Sequence, residues 1–268
     1  MDWFLNIALW NLAAAVALMT TGWLVSLAIR NVTVVDSLWG LGFVVIAWIS
    51  FGLAEGYVGR RWLVAVLTTL WGLRLCGYLT WRNWGKGEDP RYGSWRRASG
   101  ERFWIVSLFK VFWLQALFLW VIAIVVQIPQ VPSLPAHFTL WDAAGALLWT
   151  IGFTFEAVAD AQLAAFKADP ANKGRVMDRG LWRFSRHPNY FGESLIWWGL
   201  FLIALAVPSG IYTIVSPAII TLVLLKMTGV ALTERTIVET RPAYRDYQHR
   251  TSAFIPWFPK ESDHEPSA

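Results

Sequence analysis

The 268-residue chain has a single cysteine, Cys76, so no intrachain disulfide can staple it and a redox dithiol is excluded. Its four histidines, His137, His187, His249 and His264, are scattered and share no zinc-ligand spacing with that cysteine, so no metal site is expected. Charge is scarce too: Asp, Glu, Lys and Arg make up 15% of the residues, against about a quarter in soluble domains. That is too little polar surface for a water-soluble globule. Two phosphate-cradling devices are also missing. Gly40-Leu41-Gly42 lacks the third glycine and the strand context of a dinucleotide-binding turn, and there is no Walker lysine. Any dinucleotide would have to be held by a helical site.

What the chain has instead is apolar length. Hydrophobic residues are 56% of it, the mean hydropathy is +0.44, and 19 tryptophans suit the aromatic belts of membrane interfaces. The apolar residues fall into blocks near 4–29, 38–54, 62–81, 103–126, 141–159, 191–207 and 211–232, each close to the ~20 residues that a helix needs to cross a hydrocarbon core. The fold class predicted is therefore all-α, a polytopic integral membrane protein with seven transmembrane helices. The first block is preceded only by Asp2 and is too long for a signal peptide, so it reads as a retained helix.

Lysine and arginine orient these spans, because they accumulate on the cytoplasmic side. With the N-terminus outside, the inner segments hold Arg30; Arg82, Lys86, Arg91, Arg96, Arg97 and Arg102; Lys167, Lys173, Arg175, Arg179, Arg183 and Arg186; and Arg235, Arg241, Arg245, Arg250 and Lys260. The outer segments hold Arg60 and Arg61. The asymmetry predicts an external N-terminus and a cytoplasmic C-terminus, and it accounts for the net charge of +5 without nucleic acid. Residues 1–259 read as one seven-helix domain with cytoplasmic cofactor-binding loops, and 260–268 as a disordered polar tail. The outer stretch 128–137, with Pro129, Pro132 and Pro135, reads as an extended linker.

Polar chemistry concentrates in the inner loops and the tail. The densest string runs Arg179-Gly180-Leu181-Trp182-Arg183-Phe184-Ser185-Arg186-His187-Pro188-Asn189-Tyr190-Phe191-Gly192-Glu193, directly into a span. Pro188 suits a first helical turn, where its missing N–H loses no bond, so Asn189, Tyr190 and Glu193 would project from a helix start. The free N–H groups there, with Arg179, Arg183 and Arg186, would hold an anion, or the arginines would simply enforce topology and bind lipid headgroups. Upstream, Glu156, Asp160 and Lys167 share one helix face, as a pocket or as a structural ion pair. In the third span Arg74 and Tyr78 are four apart, with Gly72 and Gly77 allowing close approach, and the Tyr78 phenol is a donor for a substrate oxygen. Asp36 opens the second span as an N-cap or as a pocket carboxylate. Glu234 to Tyr247 continues the seventh span as a polar helix that would fold back over the inner face. Its Glu234 and Glu239 are of little use in a lipid anchor.

These residues resemble the bacterial membrane branch of the steroid 5-alpha-reductase-like family, a domain of unknown function. The likeness runs through Asp36-Ser37-Leu38-Trp39-Gly40, the loop Arg82 to Tyr92, Ala159-Asp160-Ala161-Gln162, the string Arg186 to Glu193 and Phe254-Ile255-Pro256-Trp257, about residues 30 to 259. It implies a seven-helix enzyme that binds NADPH at the cytoplasmic face and reduces an enone. The family's cofactor positions fall on Asp160, Lys167, Arg175, Asn189 and Glu193, and its substrate-polarising tyrosine on Tyr78. Asp36 stands where steroid reductases carry the catalytic glutamate, and Glu156 where an asparagine is expected, so the pocket differs in shape. Arg179, Arg186, His187, Tyr190, Glu234 and Tyr244 complete the expected cofactor site, and Arg74 and Glu156 the substrate side.

The expectation is an NADPH-dependent reductase of a conjugated carbon–carbon double bond in a lipophilic, steroid- or isoprenoid-like molecule, embedded in the bacterial inner membrane. Two alternatives stay open. Arg-His-Pro-x-Tyr-x-Gly with a Tyr-x-x-Tyr element also resembles isoprenylcysteine carboxyl and phospholipid methyltransferases, which bind S-adenosylmethionine. The other is a non-catalytic scaffold or transporter, although no repeat or midplane helix break is visible.

Overall fold

The computed structural model describes residues 2–227, 234, 237–238 and 243–260. Among them there is no strand; the fold is all-helical. Helices α1 (Asp2–Ile29), α2 (Val34–Leu53) and α3 (Val58–Asn83) are followed by α4 (Pro90–Ser99), α5 (Phe103–Ser107), a π-helical stretch Leu108–Trp113, α6 (Leu114–Ile122) and α7 (Ile124–Gln127). Then come α8 (Leu140–Ala168), α9 (Pro188–Ala204), α10 (Val215–Leu222) and α11 (Tyr244–Arg250). Among the described residues, five helical stretches are long and apolar enough to cross a membrane: Phe4–Ile29, Val34–Leu53, Val58–Asn83, Pro90–Ile122 and Pro208–Lys226. The chain is a multi-pass membrane protein.

The other two apolar blocks of the sequence are also helical. The block 141–159 lies inside the 29-residue α8, and that helix carries Asp142, Glu156, Asp160 and Lys167. The block 191–207 begins in α9, whose 17 residues extend about 26 Å at the rise of an α-helix, somewhat short of the hydrocarbon thickness.

The chain forms two compact units, residues 1–143 with 201–216, and residues 144–200 with 217–268. In the first unit α2 packs on both α1 and α3. Gly40 and Gly72 let α2 and α3 approach so closely that a Cβ on Gly40 would lie 2.5 Å from the Gly72 carbonyl oxygen; Gly77 faces open space. The buried Phe43 and Trp71 rings, 5.7 Å apart, fill the space beside this crossing. Where apolar packing offers little driving force in lipid, polar links add some: buried Asn11 on α1 donates to Ser50 on α2 at 2.8 Å and to Gln127 on α7 at 3.0 Å.

Two local differences from the sequence reading have simple causes. The loop 82–102 contains a helix, α4, because Asp89 accepts from the Arg91 N–H as an N-cap and Pro90 takes the first turn. The stretch 128–137 begins as a 3-10 turn, Ile128–Gln130, with Pro129 in its first positions. Its carbonyls then accept from Gly56 and Tyr57.

At the start of α3, Arg60 is fully buried. It is bidentate to Asp142 at 2.8 and 3.0 Å and donates to the carbonyl of His137 at 3.2 Å. Breaking a buried pair strands its partner, so Arg60→Leu is expected to cost roughly 3 kcal/mol, read as a lower melting temperature in detergent. Arg60→Leu combined with Asp142→Leu should recover much of the loss, and equal melting of wild type and the single variant would show that the pair is not a clamp.

Candidate functional site

In the second unit α8 and α9 cross on glycine: a Cβ on Gly192 would lie 2.5 Å from the Glu156 amide nitrogen and 2.6 Å from the Gly152 carbonyl oxygen. Nothing larger fits. This contact brings the buried Asp160 on α8 to the first turn of α9, where its Oδ1 accepts from Asn189 Nδ2 at 3.1 Å. The amide NH2 can only donate, so this bond fixes the orientation of the amide. The amide oxygen, Asn189 Oδ1, is buried and has no hydrogen-bond partner among the described residues. Glu156, one turn before Asp160 on α8, is 2% exposed. The segment entering α9 is tied to α8 by Trp182 Nε1 donating to the Ala159 carbonyl and by the Leu181 N–H donating to Gln162. Pro188 opens α9, as its chemistry requires.

One turn earlier, Arg186 and His187 converge on Glu234. Arg186 is bidentate to it, Nε at 2.7 Å and Nη2 at 3.1 Å, while Nη1 donates to the carbonyls of Gln248 and Thr251. All three guanidinium nitrogens are thus committed. His187 Nε2 lies 3.2 Å from Glu234 Oε1, and Gln248 Nε2 donates to Oε2 at 2.7 Å. Burial raises the Glu234 carboxyl, but the hydrogen bonds from His187, Arg186 and Gln248 and the Arg186 charge outweigh it and bring it down to about 2. Burial, joined by the Glu234 charge, pushes the Tyr244 phenol well above its usual value. Burial does the same to Tyr247, whose hydroxyl donates to the Trp182 carbonyl. Both tyrosines stay neutral donors. The His187 and Tyr190 rings stack with centroids 5.2 Å apart.

The expected cations are placed differently from one another. Arg186 is nearly buried, whereas Lys167, Arg175 and Arg179 are exposed. Lys167 lines a cavity of about 300 Å³ with Leu163, Phe166, Asn172, Lys173 and Met177 at the C-terminal end of α8. Glu193 is half-buried one turn along α9. Glu239, expected beside Glu234, lies outside the described residues.

The expected catalytic pair belongs to the first unit. The Arg74 guanidinium lies 5.6 Å from the centre of the Tyr78 ring and that of Arg82 5.9 Å, a cationic setting for the phenol. Asp36 sits in the first turn of α2 and is not its N-cap; Thr33 holds that position. The Asp36 carboxylate accepts from the buried Tyr92 hydroxyl at 3.0 Å, with Arg91 3.9 Å away. Tyr92, on α4, is a residue that the sequence reading passed over as a site member.

The loop that delivers Tyr92 is tied down by carboxylates. Glu88 is bidentate to Arg96 and accepts from the Val32 N–H, and the Asp89 N–H donates to Thr33. Hydrogen bonding from Arg96 holds the Glu88 carboxyl below its usual range despite partial burial. At Asp89 burial pushes upward, and the bonds from Arg91 outweigh it.

A model of the family described as "Protein of unknown function (DUF1295)" matches residues 22–251. "Uncharacterized protein C594.04c" of the fission yeast Schizosaccharomyces pombe is 29% identical over 260 residues, which cover 87% of this chain and 75% of the yeast protein. No solved structure matches the chain.

Proposed function

The chain belongs to the DUF1295 family, and from that membership and the residues gathered at the start of α9 we propose that it is an NADPH-dependent membrane reductase of a carbon–carbon double bond conjugated to a carbonyl in a lipophilic substrate. The observation that carries the reading is Asn189. Its Oδ1 is a buried acceptor with no donor among the described residues, and its Nδ2 is occupied by a buried carboxylate. A buried acceptor without a donor is costly, and the carboxamide N–H of a nicotinamide is a donor of the right kind. The residues present therefore fit the cofactor that the resemblance implies.

When bound, NADPH would supply the hydride, and water would supply the proton that the α-carbon takes up to complete the reduction. Asn189, Asp160 and Glu193 orient its carboxamide end, and the exposed Lys167, Arg175 and Arg179 offer charge to its phosphates. Arg186, with no nitrogen to spare, acts by holding Glu234, His187 and the segment before α9 in place. Tyr78 donates its phenolic proton in a hydrogen bond to the substrate carbonyl, stabilising the negative charge that develops on that oxygen. Asp36 serves as the carboxylate of the substrate side, oriented by Tyr92. The resemblance puts Arg74 and Glu156 on the substrate side.

The topology belonging to this reading has seven spans, with α8 and α9 as the fifth and sixth, the N-terminus outside and the C-terminus cytoplasmic. The Lys and Arg distribution supports it. A bacterial inner membrane is the location that the resemblance carries; the relative reported above is from a yeast.

Thermal melting of the detergent-purified protein tests the cofactor. A ligand that binds only the folded state stabilises it by mass action, by about 2.7 kcal/mol at a hundred times its Kd. NADPH is expected to raise the melting temperature, and S-adenosylmethionine to leave it unchanged. Stabilisation by S-adenosylmethionine alone would replace the reading with that of a membrane methyltransferase.

A further inference from the structure

After α11 the chain runs from Thr251 to Lys260 without regular structure, and Pro256 and Pro259 keep it from becoming helical. It is nonetheless fixed. The Arg186 N–H donates to the Ser252 carbonyl at 2.9 Å, Ser185 Oγ to the Phe254 carbonyl at 2.8 Å, and the Trp257 N–H to the Phe184 carbonyl at 2.9 Å. The Lys260 N–H donates to the Arg250 carbonyl at 2.9 Å. The Phe254 ring turns inward against Phe191.

The other large side chains turn outward. Ile255 is 64% exposed, Trp257 71% and Phe258 77%. Three large apolar groups held in the open by a pinned backbone are not the product of a loose chain end. Cations stand on the adjoining residues: Arg183, one residue before the Phe184 anchor, and Lys260 are both exposed, and Arg250 is 41% exposed, paired at 3.9 Å with Asp178, while Glu261, Asp263 and Glu265 follow Lys260 in the sequence. Exposed aromatic and aliphatic groups with arginine and lysine on adjoining residues are the composition of a surface that enters the headgroup layer of an anionic bilayer.

We propose that the segment Ile255 to Phe258 is a membrane-surface foot: Ile255, Trp257 and Phe258 insert among the headgroups and upper acyl chains of an anionic leaflet, with Arg183, Arg250 and Lys260 on the lipid phosphates. The anchors at Phe184, Ser185 and Arg186 lie within four residues of Pro188, the first residue of α9, so the foot stands beside the point where that helix starts. It uses the topology of the reading above, with α9 as a span, and none of its chemistry. Because the segment is bonded to the backbone of Arg186, the foot also braces the strand of chain that presents Arg186 and His187 to Glu234.

The test places an environment-sensitive fluorophore on a cysteine at Phe258→Cys, in a Cys76→Ala background, with the full chain reconstituted into phosphatidylcholine vesicles with and without phosphatidylglycerol. Ala171→Cys, in an exposed loop of the same unit, is the water-side reference, and Ile255→Cys is the second reporter if the first variant does not fold. The label at 258 is expected to be quenched by lipids carrying a nitroxide near the headgroup. It should be several-fold less quenched by iodide than the label at 171, and more strongly lipid-quenched with phosphatidylglycerol present. Iodide quenching equal to that at 171 would overturn the foot. So would a label shielded from both quenchers, which would mean that protein covers it. Lipid quenching that ignores phosphatidylglycerol would overturn the role given to the three cations. None of these outcomes depends on whether the protein reduces a substrate.

Discussion

Glu234→Ala is expected to lower stability by roughly 3 kcal/mol or more, because it leaves the Arg186 guanidinium nearly buried with only carbonyl acceptors. His187 and Gln248 lose their partner in the same step. The effect should appear as a lower melting temperature and as proteolysis near the segment before α9. Glu234→Gln keeps one acceptor oxygen, replaces the other by an NH2 donor and removes the charge, so its stability should fall between those of the wild type and Glu234→Ala.

The pH dependence separates these cases. The Glu234 carboxyl is lowered in the fold from 4.5 to about 2, so its contribution is fully present above about pH 4.5 and is lost as the pH falls towards 2. Wild type should therefore lose stability through that window more steeply than Glu234→Gln, which has no carboxylate to protonate. The lowered carboxyls of Glu88 and Asp89 add to the acid limb of both proteins alike. Identical acid limbs, or a Glu234→Ala protein that melts like wild type, would remove Glu234 from the centre of this cluster.

Tyr78→Phe is expected to reduce turnover of a lipophilic enone on the order of 10²-fold, the cost of removing one oxyanion donor, while the NADPH-induced rise in melting temperature stays the same. The change deletes one oxygen from a half-buried ring and keeps its contact with Arg74. Equal loss of turnover and cofactor binding would place Tyr78 in the fold and not in the reaction. Unchanged turnover would remove it from the substrate carbonyl.

Much of the fold was legible in the chain because a bilayer imposes a coarse rule. A helix crossing it must be long and apolar, and the blocks at 4–29, 38–54, 62–81, 103–126 and 211–232 each overlap one of the five membrane-length helices. The first turn of α9 was legible as well, since Pro188 announces it. The helix α4 had a signal that was overlooked, the N-cap Asp89 followed by Pro90.

Long-range partners had no such signal. Glu234 meets Arg186 from 48 residues away and His187 from 47, and Tyr92 meets Asp36 from 56. Periodicity says which face of a helix is apolar, but not which distant side chain will fill a vacancy in its hydrogen bonding.

By itself, then, the sequence determined that this is an all-helical multi-pass membrane protein, and which polar residues had to be accounted for. The tertiary structure alone decided how those residues are used. Asn189 is left with an open buried acceptor because Asp160 reaches it across the glycine crossing of α8 and α9. Arg186 is spent as a clamp, because Glu234, Gln248 and Thr251 take every nitrogen it has. Apolar length is written residue by residue along the chain, whereas the satisfaction of a buried polar group depends on which helices pack together.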